Sequence, residues 1–197
     1  KQPKGTIASA RNNGVNISMG KVLIFLDADV SITEAWQREI NKKINELLIN
    51  PLIVTGSRCG VENESNWLSR YWFSRMQHEK TNYINSGHLV TSRILFDQIG
   101  GFNKNYRTAE DYDFCSRAKQ IGAKIINNPE LYVIHRGYPT NLKDFIARER
   151  WHGIEDFMSL NNILNSRVAM ESILNIIVML IFIVMTIKKA IILYELL

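Results

Sequence analysis

Two aspartates separated by one residue directly follow a run of five apolar residues. Val22–Leu26 predicts a strand buried on both faces, as in a parallel sheet covered by helices, and Asp27-Ala28-Asp29 comes next. Ligands of open α/β sheets bind at the carboxyl ends of strands, and residues 27 and 29 point the same way if the strand continues. Neighbouring carboxylates repel each other unless a cation lies nearby, and Mg²⁺ takes oxygen ligands that it shares with phosphates. The pair therefore predicts a cation and phosphate site, with capping or turn aspartates as the alternative.

A second acidic cluster stands where a helix is predicted to begin. Glu110, Asp111 and Asp113 follow a Gly-Gly-Phe turn at residues 100–102 and a polar loop at residues 103–107. The helix dipole by itself favours acidic residues at this position. A carboxylate at such a junction can also take a proton from a substrate hydroxyl, which typically accelerates a reaction by about 10²–10⁴-fold.

Alternating helices and strands have to position these two clusters. The pattern predicts an α/β fold, and Ser31-Ile32-Thr33-Glu34 has the form of a capping box. A nucleotide-binding fold of this class normally opens with a strand-helix-strand unit, and no such unit fits before Ile7. We therefore expect a piece of a longer protein. The predicted helices cover residues 7–18, the segment from the capping box to Pro51, residues 67–79, a short segment that ends at Gly100-Gly101, residues 108–121 with a cap at Thr108, and a long polar stretch after residue 141. The further strands cover residues 52–56, 87–91, 124–126 and 131–134.

The composition is that of a globular protein and excludes several classes. The 197 residues are 46% hydrophobic and 22% charged, which excludes a disordered or fibrous chain. Cys59 and Cys115 match no metal-binding spacing and indicate a reducing compartment rather than a disulfide scaffold. The net charge of +5 is scattered and not interleaved with aromatic residues, so nucleic acid is not an expected partner, whereas anionic ligands or membranes are compatible.

The end of the chain is strongly apolar. Apart from Glu171 and Asn175, Val168–Ile187 is almost entirely apolar, without a polar face, and it reaches the roughly 20 residues that a membrane-spanning helix needs. We expect a membrane-associated or transmembrane segment over residues 166–197, after a catalytic domain over residues 1–165. A buried core helix or a dimer helix is the alternative. If the catalytic domain is cytoplasmic, a spanning helix would place Lys188-Lys189 on the far side of the membrane, whereas lysines tend to stay on the cytoplasmic side. A re-entrant helix, or a hairpin that continues past Leu197, would avoid this conflict.

Five motifs in order resemble the family 2 glycosyltransferases, which have the GT-A fold. The resemblance spans roughly residues 5–155 and implies a GT-A-type, Rossmann-like mixed sheet flanked by helices, here without its first strand-helix unit. It implies metal-dependent transfer of a sugar from a nucleotide-sugar to an acceptor hydroxyl with inversion, in polysaccharide or glycoconjugate synthesis. The motifs are Ala10-Arg11-Asn12-Asn13-Gly14, Gly20–Asp29, Gly100-Gly101-Phe102, Glu110–Phe114 with Arg117, and Val133-Ile134-His135.

The same resemblance implies a role for each candidate residue. Asp111 would be the catalytic base, and Asp29 and His135 would ligate Mg²⁺ or Mn²⁺. Asp27 would contact the ribose or the metal shell. Arg11 would stand near the nucleotide and Glu110 near the acceptor, which would be a saccharide or a lipid-linked molecule.

One motif of the processive members is incomplete. They carry Gln-x-x-Arg-Trp after the acidic cluster, and here Ala147 precedes Arg150-Trp151 where the glutamine would stand. This favours single-sugar transfer. Arg148 and Arg150 are expected to hold the diphosphate. The alternative, to which we give the same weight, is that both arginines lie on a solvent-exposed helix face. Trp151 is expected to contact the substrate.

Two rival interpretations remain open at this point. In a phosphatase of the haloacid dehalogenase type, Asp27 would be the nucleophile, but Ser31 stands where threonine or valine is expected, and no later lysine precedes a convincing acidic pair. The other rival is a non-catalytic, membrane-associated fragment. The favoured interpretation places the catalytic domain on the cytoplasmic side of a cell membrane.

Overall fold

A computed structural model of the chain describes residues 5–62, 66–76 and 81–195. The last three residues of the helix predicted over residues 67–79 lie outside these ranges. The chain divides into two compact units, Lys1–Trp151 and His152–Leu197. The elements of the first unit are α1 (Ile7–Ile17), β1 (Val22–Leu26), β2 (Val30–Ile32), α2 (Glu34–Ile49), β3 (Ile53–Gly56), β4 (Cys59–Val61), a π-helical turn (Ser69–Phe73) continued by α3 (Ser74–Met76), β5 (His88–Ser92), α4 (Arg93–Ile99), α5 (Glu110–Gln120), β6 (Lys124–Asn127), β7 (Val133–His135) and α6 (Leu142–His152), whose last residue already belongs to the second unit.

Two mixed sheets form the centre of the first unit. The four-stranded sheet has the order β1-β5-β3-β6, in which β5 is antiparallel to β1 and β3 while β3 and β6 are parallel. The three-stranded sheet has the order β2-β7-β4, with β7 antiparallel to β2 and parallel to β4. The predicted α/β class with a mixed sheet is therefore confirmed.

Strand β1 differs from its prediction. Leu23 and Phe25 are buried, but Ile24 and Leu26 on the other face are 37% and 41% exposed, so the strand is fully buried on one face only. Its partner β5 is antiparallel, not parallel. A run of apolar residues signals a strand but does not distinguish burial on one face from burial on two, and this is why the prediction was wrong on both points.

The core lies on both sides of the sheet. On one side, aromatic rings of β1, α4 and α5 meet those of the Gly-Gly-Phe turn, with Phe102 lying 5.1 Å from Phe25 and 4.9 Å from Phe114 between ring centroids. On the other side, Trp36 and Ile40 of α2 belong to a second hydrophobic cluster, which also contains buried residues of β5 and β7. Strand β1, which the aspartates follow, therefore packs against α4 through Phe25 and reaches α5 through the ring of Phe102.

Helix α2 begins two residues later than the capping box predicts, because Ser31 is the cap residue of that motif. The capping side chain is Thr33, which accepts a hydrogen bond from the Trp36 N–H at 3.2 Å, whereas Ser31 lies inside β2. The pairing of β2 with β7 occupies residues 30–32, so the helix cannot start before residue 33. The N-terminus of α2 thus follows β2 directly.

Buried His88 connects α2 with the strand next to β1. The Trp36 indole N–H donates to His88 Nε2 at 2.9 Å, and His88 Nδ1 lies 3.1 Å from the Ser57 backbone nitrogen and 3.0 Å from Ser57 Oγ. Ser57 in turn donates to the Leu131 carbonyl. Burial lowers the pKa of His88 to about 4, so this ring is neutral in the folded protein at neutral pH.

The second unit consists of a short 3₁₀ turn (Glu155–Phe157), α7 (Leu160–Asn165) and α8 (Arg167–Glu195). Within α8, Arg167–Lys189 comprises 23 residues of mean hydropathy 2.5 and is almost entirely unburied. By length and composition this helix could cross a membrane. It lies where the apolar segment was predicted, and it begins one residue earlier.

Candidate active site

The chain turns at the end of β1, and the turn separates the two aspartates. The Val30 N–H donates to the Asp27 carbonyl at 3.0 Å, and β2 begins at Val30. The strand ends before Asp27, so the condition under which both carboxylates would point the same way is not met. Asp27 faces α1, whereas Asp29 faces the end of β7.

Arg11 joins the two acidic clusters. Its Nη2 lies 2.6 Å from Asp27 Oδ1 and its Nη1 lies 2.6 Å from Glu110 Oε1. The arginine and Glu110 are both largely buried, whereas Asp27 is half-exposed. The motif on α1 therefore fixes the end of β1 against the start of α5, because the single positive charge of Arg11 is shared by one carboxylate of each cluster.

Asp111 lies beside this network and is 7% exposed. Its Oδ2 accepts the Ser86 N–H at 3.0 Å and its Oδ1 accepts its neighbour Tyr112 N–H at 2.8 Å, while the Ser86 hydroxyl donates to Glu110. Burial raises the pKa of Asp111 to about 6, and the neighbouring Glu110 adds to this, against the two backbone N–H groups and Arg11. The result is a carboxylate that is ionised at neutral pH and more basic than usual.

The backbone is strained at the start of α5, two residues before Asp111. Ala109, the N-cap of α5, has φ 60°, and it is the one non-glycine residue with positive φ in the described part of the chain. Thr108 was predicted to cap this helix, but the cap position falls on Ala109, which has no capping side chain. Such conformations cost of order 1–3 kcal/mol and cluster at functional sites.

The Gly-Gly-Phe turn is held from two sides. Asn12 binds both backbone groups of Phe102, donating to its carbonyl at 2.7 Å and accepting its N–H at 3.0 Å. Arg117 donates to the Gly101 carbonyl at 2.9 Å and pairs with Asp113 at 2.6 Å. Asn12 was not among the predicted site residues, although its place beside Arg11 was a signal. Asp113 serves this clamp and not the Asp111 group.

Asp29 and His135 come together through the pairing of β2 with β7. Val30 pairs with His135, the Arg136 N–H donates to the Asp29 carbonyl at 2.9 Å, and Asp29 Oδ2 lies 3.5 Å from His135 Nε2. Among residues 5–62, 66–76 and 81–195, no three His, Cys, Asp or Glu side chains converge on a metal position. A carboxylate and an imidazole nevertheless fit a divalent cation that takes its remaining ligands from phosphates and water.

The imidazole of His135 has a defined tautomer in this arrangement. The Gly137 N–H donates to Nδ1 at 3.0 Å, so the neutral ring carries its hydrogen on Nε2, facing Asp29. Burial lowers the pKa of His135, against the opposite effect of Asp29 and Asp27. The ring is therefore neutral at neutral pH and has to give up the Nε2 hydrogen before that nitrogen can bind a cation.

Of the predicted phosphate ligands, Arg148 reaches this region. Its guanidinium lies 5.1 Å from the centre of the Phe73 ring and 5.7 Å from that of Tyr138, and Tyr138 stacks 4.4 Å from the His135 ring. Arg150 and Trp151 are exposed on the same helix, α6. The structure thus brings Arg11, Asp27, Glu110 and Asp111 into one group and Asp29, His135 and Arg148 into a second beside it.

The mixed-sheet fold places an aspartate pair at the end of β1 and a buried carboxylate at the start of α5, and these are the two acidic clusters of the expected motifs. The family model "Glycosyl transferase family 2" matches residues 1–102, slightly more than half of the chain, and the chain belongs to this family. The predicted family is thereby confirmed. It favours the transferase over the phosphatase interpretation of Asp27.

Similar proteins agree with this assignment. A Mycobacterium tuberculosis protein named "Pre-mycofactocin glycosyltransferase" is 27% identical over 156 residues, which are 74% of this chain and 33% of the relative. The chain thus spans about a third of the length of the curated relatives that it matches.

Solved structures share the fold. Similar structures include GalNAc-T7 with UDP, GalNAc and Mn²⁺, at 17% identity and TM-score 0.52, where 74% of this chain matches 34% of the other. The mannosyltransferase PcManGT from Pyrobaculum calidifontis, with GDP-Man and Mn²⁺, gives 16% identity and TM-score 0.54 over 85% of this chain and 45% of the other. The predicted GT-A-type fold is therefore confirmed.

Proposed function

We propose that this chain is the catalytic part of a membrane-attached glycosyltransferase that transfers one sugar from a nucleotide-sugar to an acceptor hydroxyl, with inversion. The observation that carries the proposal is the continuous network from Asp27 through Arg11, Glu110 and Ser86 to Asp111. Asp29 lies two residues beyond Asp27, and its carboxylate faces His135 of β7. Family membership supports it, and so do two structural neighbours whose complexes contain UDP or GDP-Man together with Mn²⁺.

Asp29 and His135 are the residues that would hold Mg²⁺ or Mn²⁺ at the donor diphosphate. The cation, when bound, stabilises the negative charge on the departing diphosphate. Arg11 engages Asp27 Oδ1, so Asp27 Oδ2 remains for the donor ribose or the metal shell. Arg148, beside the Tyr138 and His135 rings, and Arg150 on the same helix would orient the diphosphate through charge-assisted hydrogen bonds.

Asp111 would be the base. A carboxylate oxygen takes the proton of the acceptor hydroxyl as that oxygen forms a bond to the anomeric carbon, and the bond from this carbon to the diphosphate oxygen breaks in the same displacement. One displacement inverts the anomeric configuration. Its pKa of about 6 makes Asp111 a stronger base than an exposed aspartate while leaving it mostly ionised at neutral pH. Glu110, fixed by Arg11 and Ser86, and Trp151 would bind the acceptor.

Helix α8 would attach the enzyme to a cell membrane with the catalytic part on the cytoplasmic side. The acceptor is then a saccharide or a lipid-linked molecule of polysaccharide or glycoconjugate synthesis. In this proposal residues 1–165 form the catalytic domain and residues 166–197 the membrane segment, whereas the boundary between the two compact units falls at Trp151.

The test is a panel of nucleotide-sugars offered to the full-length protein with saccharide and lipid-linked acceptors. We expect transfer that EDTA abolishes and added Mn²⁺ restores, and a product whose anomeric proton coupling in the NMR spectrum shows the configuration opposite to that of the donor. Transfer that is unaffected by EDTA would refute the roles of Asp29 and His135. Nucleotide-sugar binding without turnover on the whole panel would favour the non-catalytic alternative.

A further inference from the structure

Gly137 lies against the Asp29 carboxylate. A Cβ atom built on Gly137 would lie 2.2 Å from Asp29 Oδ2 and 3.0 Å from His135 Cε1. Non-bonded heavy atoms normally approach to about 3.5–4.0 Å. The carboxylate oxygen therefore occupies space that exists only because residue 137 has no side chain.

We propose that Gly137 is a positioning residue, which keeps Asp29 Oδ2 beside His135 Nε2 by leaving that space free. The inference rests on the proposed function, in which Asp29 and His135 hold the cation. It adds a residue that neither the motifs nor the acidic pattern indicates. Any side chain at position 137 would compete with the Asp29 carboxylate for one place.

The backbone around this contact is fixed, so the carboxylate is the part that yields. The Arg136 N–H donates to the Asp29 carbonyl, and Val30 pairs with His135 in the β2–β7 ladder. The side chain of Asp29 is 49% exposed and can rotate into water. Replacement of Gly137 by alanine is therefore expected to move Asp29 Oδ2 away from His135 and to leave the fold intact.

The hydrogen bond from Gly137 to His135 is not the basis of this inference. It belongs to the tautomer with hydrogen on Nε2, which is not the form that binds a cation. Alanine would keep this N–H in any case. The steric contact with Asp29 is what alanine changes.

The chain offers two matched glycines. Neither Gly137 nor Gly14 has a positive φ, so alanine introduces no backbone strain at either position, and Gly14 has no atom within 4 Å of its built Cβ. Gly87 is the counterpart at the other aspartate, since its built Cβ would lie 2.9 Å from Asp27 Oδ2, and it would also lie 2.9 Å from Asn85 Oδ1. Gly14→Ala therefore controls for the substitution itself, and Gly87→Ala tests Asp27 without touching Asp29.

The experiment measures Mn²⁺ binding to the full chain in detergent, in parallel with UDP and with GDP, from the electron paramagnetic resonance signal of free Mn²⁺. Loss of a group that orients a metal ligand typically weakens metal affinity about 10–100-fold, and we expect Gly137→Ala to fall in this range. Gly14→Ala should bind Mn²⁺ as the wild type does. Circular dichroism melting should show Gly137→Ala folded.

A double variant separates the possible outcomes. If Gly137 acts through Asp29, the variant Asp29→Asn/Gly137→Ala binds Mn²⁺ no more weakly than Asp29→Asn alone. Wild-type affinity in Gly137→Ala, together with weak binding in Asp29→Asn, would overturn this inference and leave the proposed function standing. Wild-type affinity in Asp29→Asn would overturn the metal assignment and the inference with it. An unfolded Gly137→Ala would show that the backbone yields first and would also overturn the inference.

Discussion

Replacement of Asp111 by asparagine should make the folded protein less sensitive to alkaline pH. Burial raises the pKa of Asp111 from 3.8 to about 6, a difference of about 2 units, and each unit corresponds to 1.36 kcal/mol. Because the folded state holds this proton more tightly than the unfolded state, stability is fully present below the unfolded pKa and is lost as the pH rises to the folded one. The ionised carboxylate therefore destabilises the fold by about 3 kcal/mol at neutral pH.

Asparagine is neutral at every pH and has one carbonyl oxygen to accept the Ser86 or the Tyr112 N–H. The difference between the unfolding free energies of Asp111→Asn and the wild type should therefore shift in favour of the variant by about 2–3 kcal/mol between about pH 4 and about pH 8. The sign of the shift does not depend on how many hydrogen bonds asparagine keeps, because that loss is the same at each pH.

The assay is denaturant unfolding in detergent, followed by tryptophan fluorescence, across this pH range. Asp97→Asn, which replaces an exposed aspartate of α4, is the matched control for the loss of one carboxylate. If the stability curves of Asp111→Asn and wild type run parallel from acid to alkaline pH, Asp111 is not desolvated and the reasoning from burial is refuted.

Three further substitutions test the framework of the site by the same unfolding measurement. Arg11→Met should cost about 3–5 kcal/mol because it leaves Glu110 buried without its cation, and a cost below about 1 kcal/mol would contradict the bridge. Asn12→Ala should cost about 2 kcal/mol because both backbone groups of Phe102 lose their partner, and an unchanged midpoint would contradict the clamp. Burial lowers the pKa of His88 to about 4, so stability is lost as the pH falls from about 6.5 to about 4, and His88→Gln should remove that part of the acid sensitivity. Equal acid sensitivity in the variant would show that His88 is not the group that titrates.

The sequence predicted most helices and strands because the residues that start, end or fill each of them are close neighbours in the chain. The apolar run of β1, the end of α4 at Gly100 and the acidic start of α5 each depend on a few neighbouring residues, and the structure has all three. The order of five motifs also indicated the family, which the comparisons confirmed. These signals require no knowledge of what lies opposite each element.

Tertiary pairing decided the features that local patterns missed. Residues 30–32 pair with β7, so the chain turns after Asp27 and the two aspartates face different elements. The same pairing moves the N-cap of α2 to Thr33. The sequence indicated Arg11 near a nucleotide, but its bridge to Glu110 depends on a helix that follows much later in the chain. Gly137 carried no signal at all, since its importance is the space it leaves for Asp29.

The sequence therefore predicted which acidic residues belong to the candidate site, but it did not predict the contacts that hold them together. Asp27, Glu110 and Asp111 were expected to act at one place, and the structure joins them through Arg11 and Ser86. The roles of these residues, and of Arg150 and Trp151 on α6, stay predictions for the experiments above.

Sugar transfer by Asp111→Asn tests the central claim most directly. In the full-length protein, with the donor and acceptor that the panel identifies, removal of the base should lower kcat by about 10²–10⁴-fold. Transfer by the wild type should also fall about tenfold per pH unit below about pH 6, and Asp97→Asn should behave as the wild type. If Asp111→Asn transfers sugar at the wild-type rate, Asp111 is not the base and the proposed mechanism is wrong.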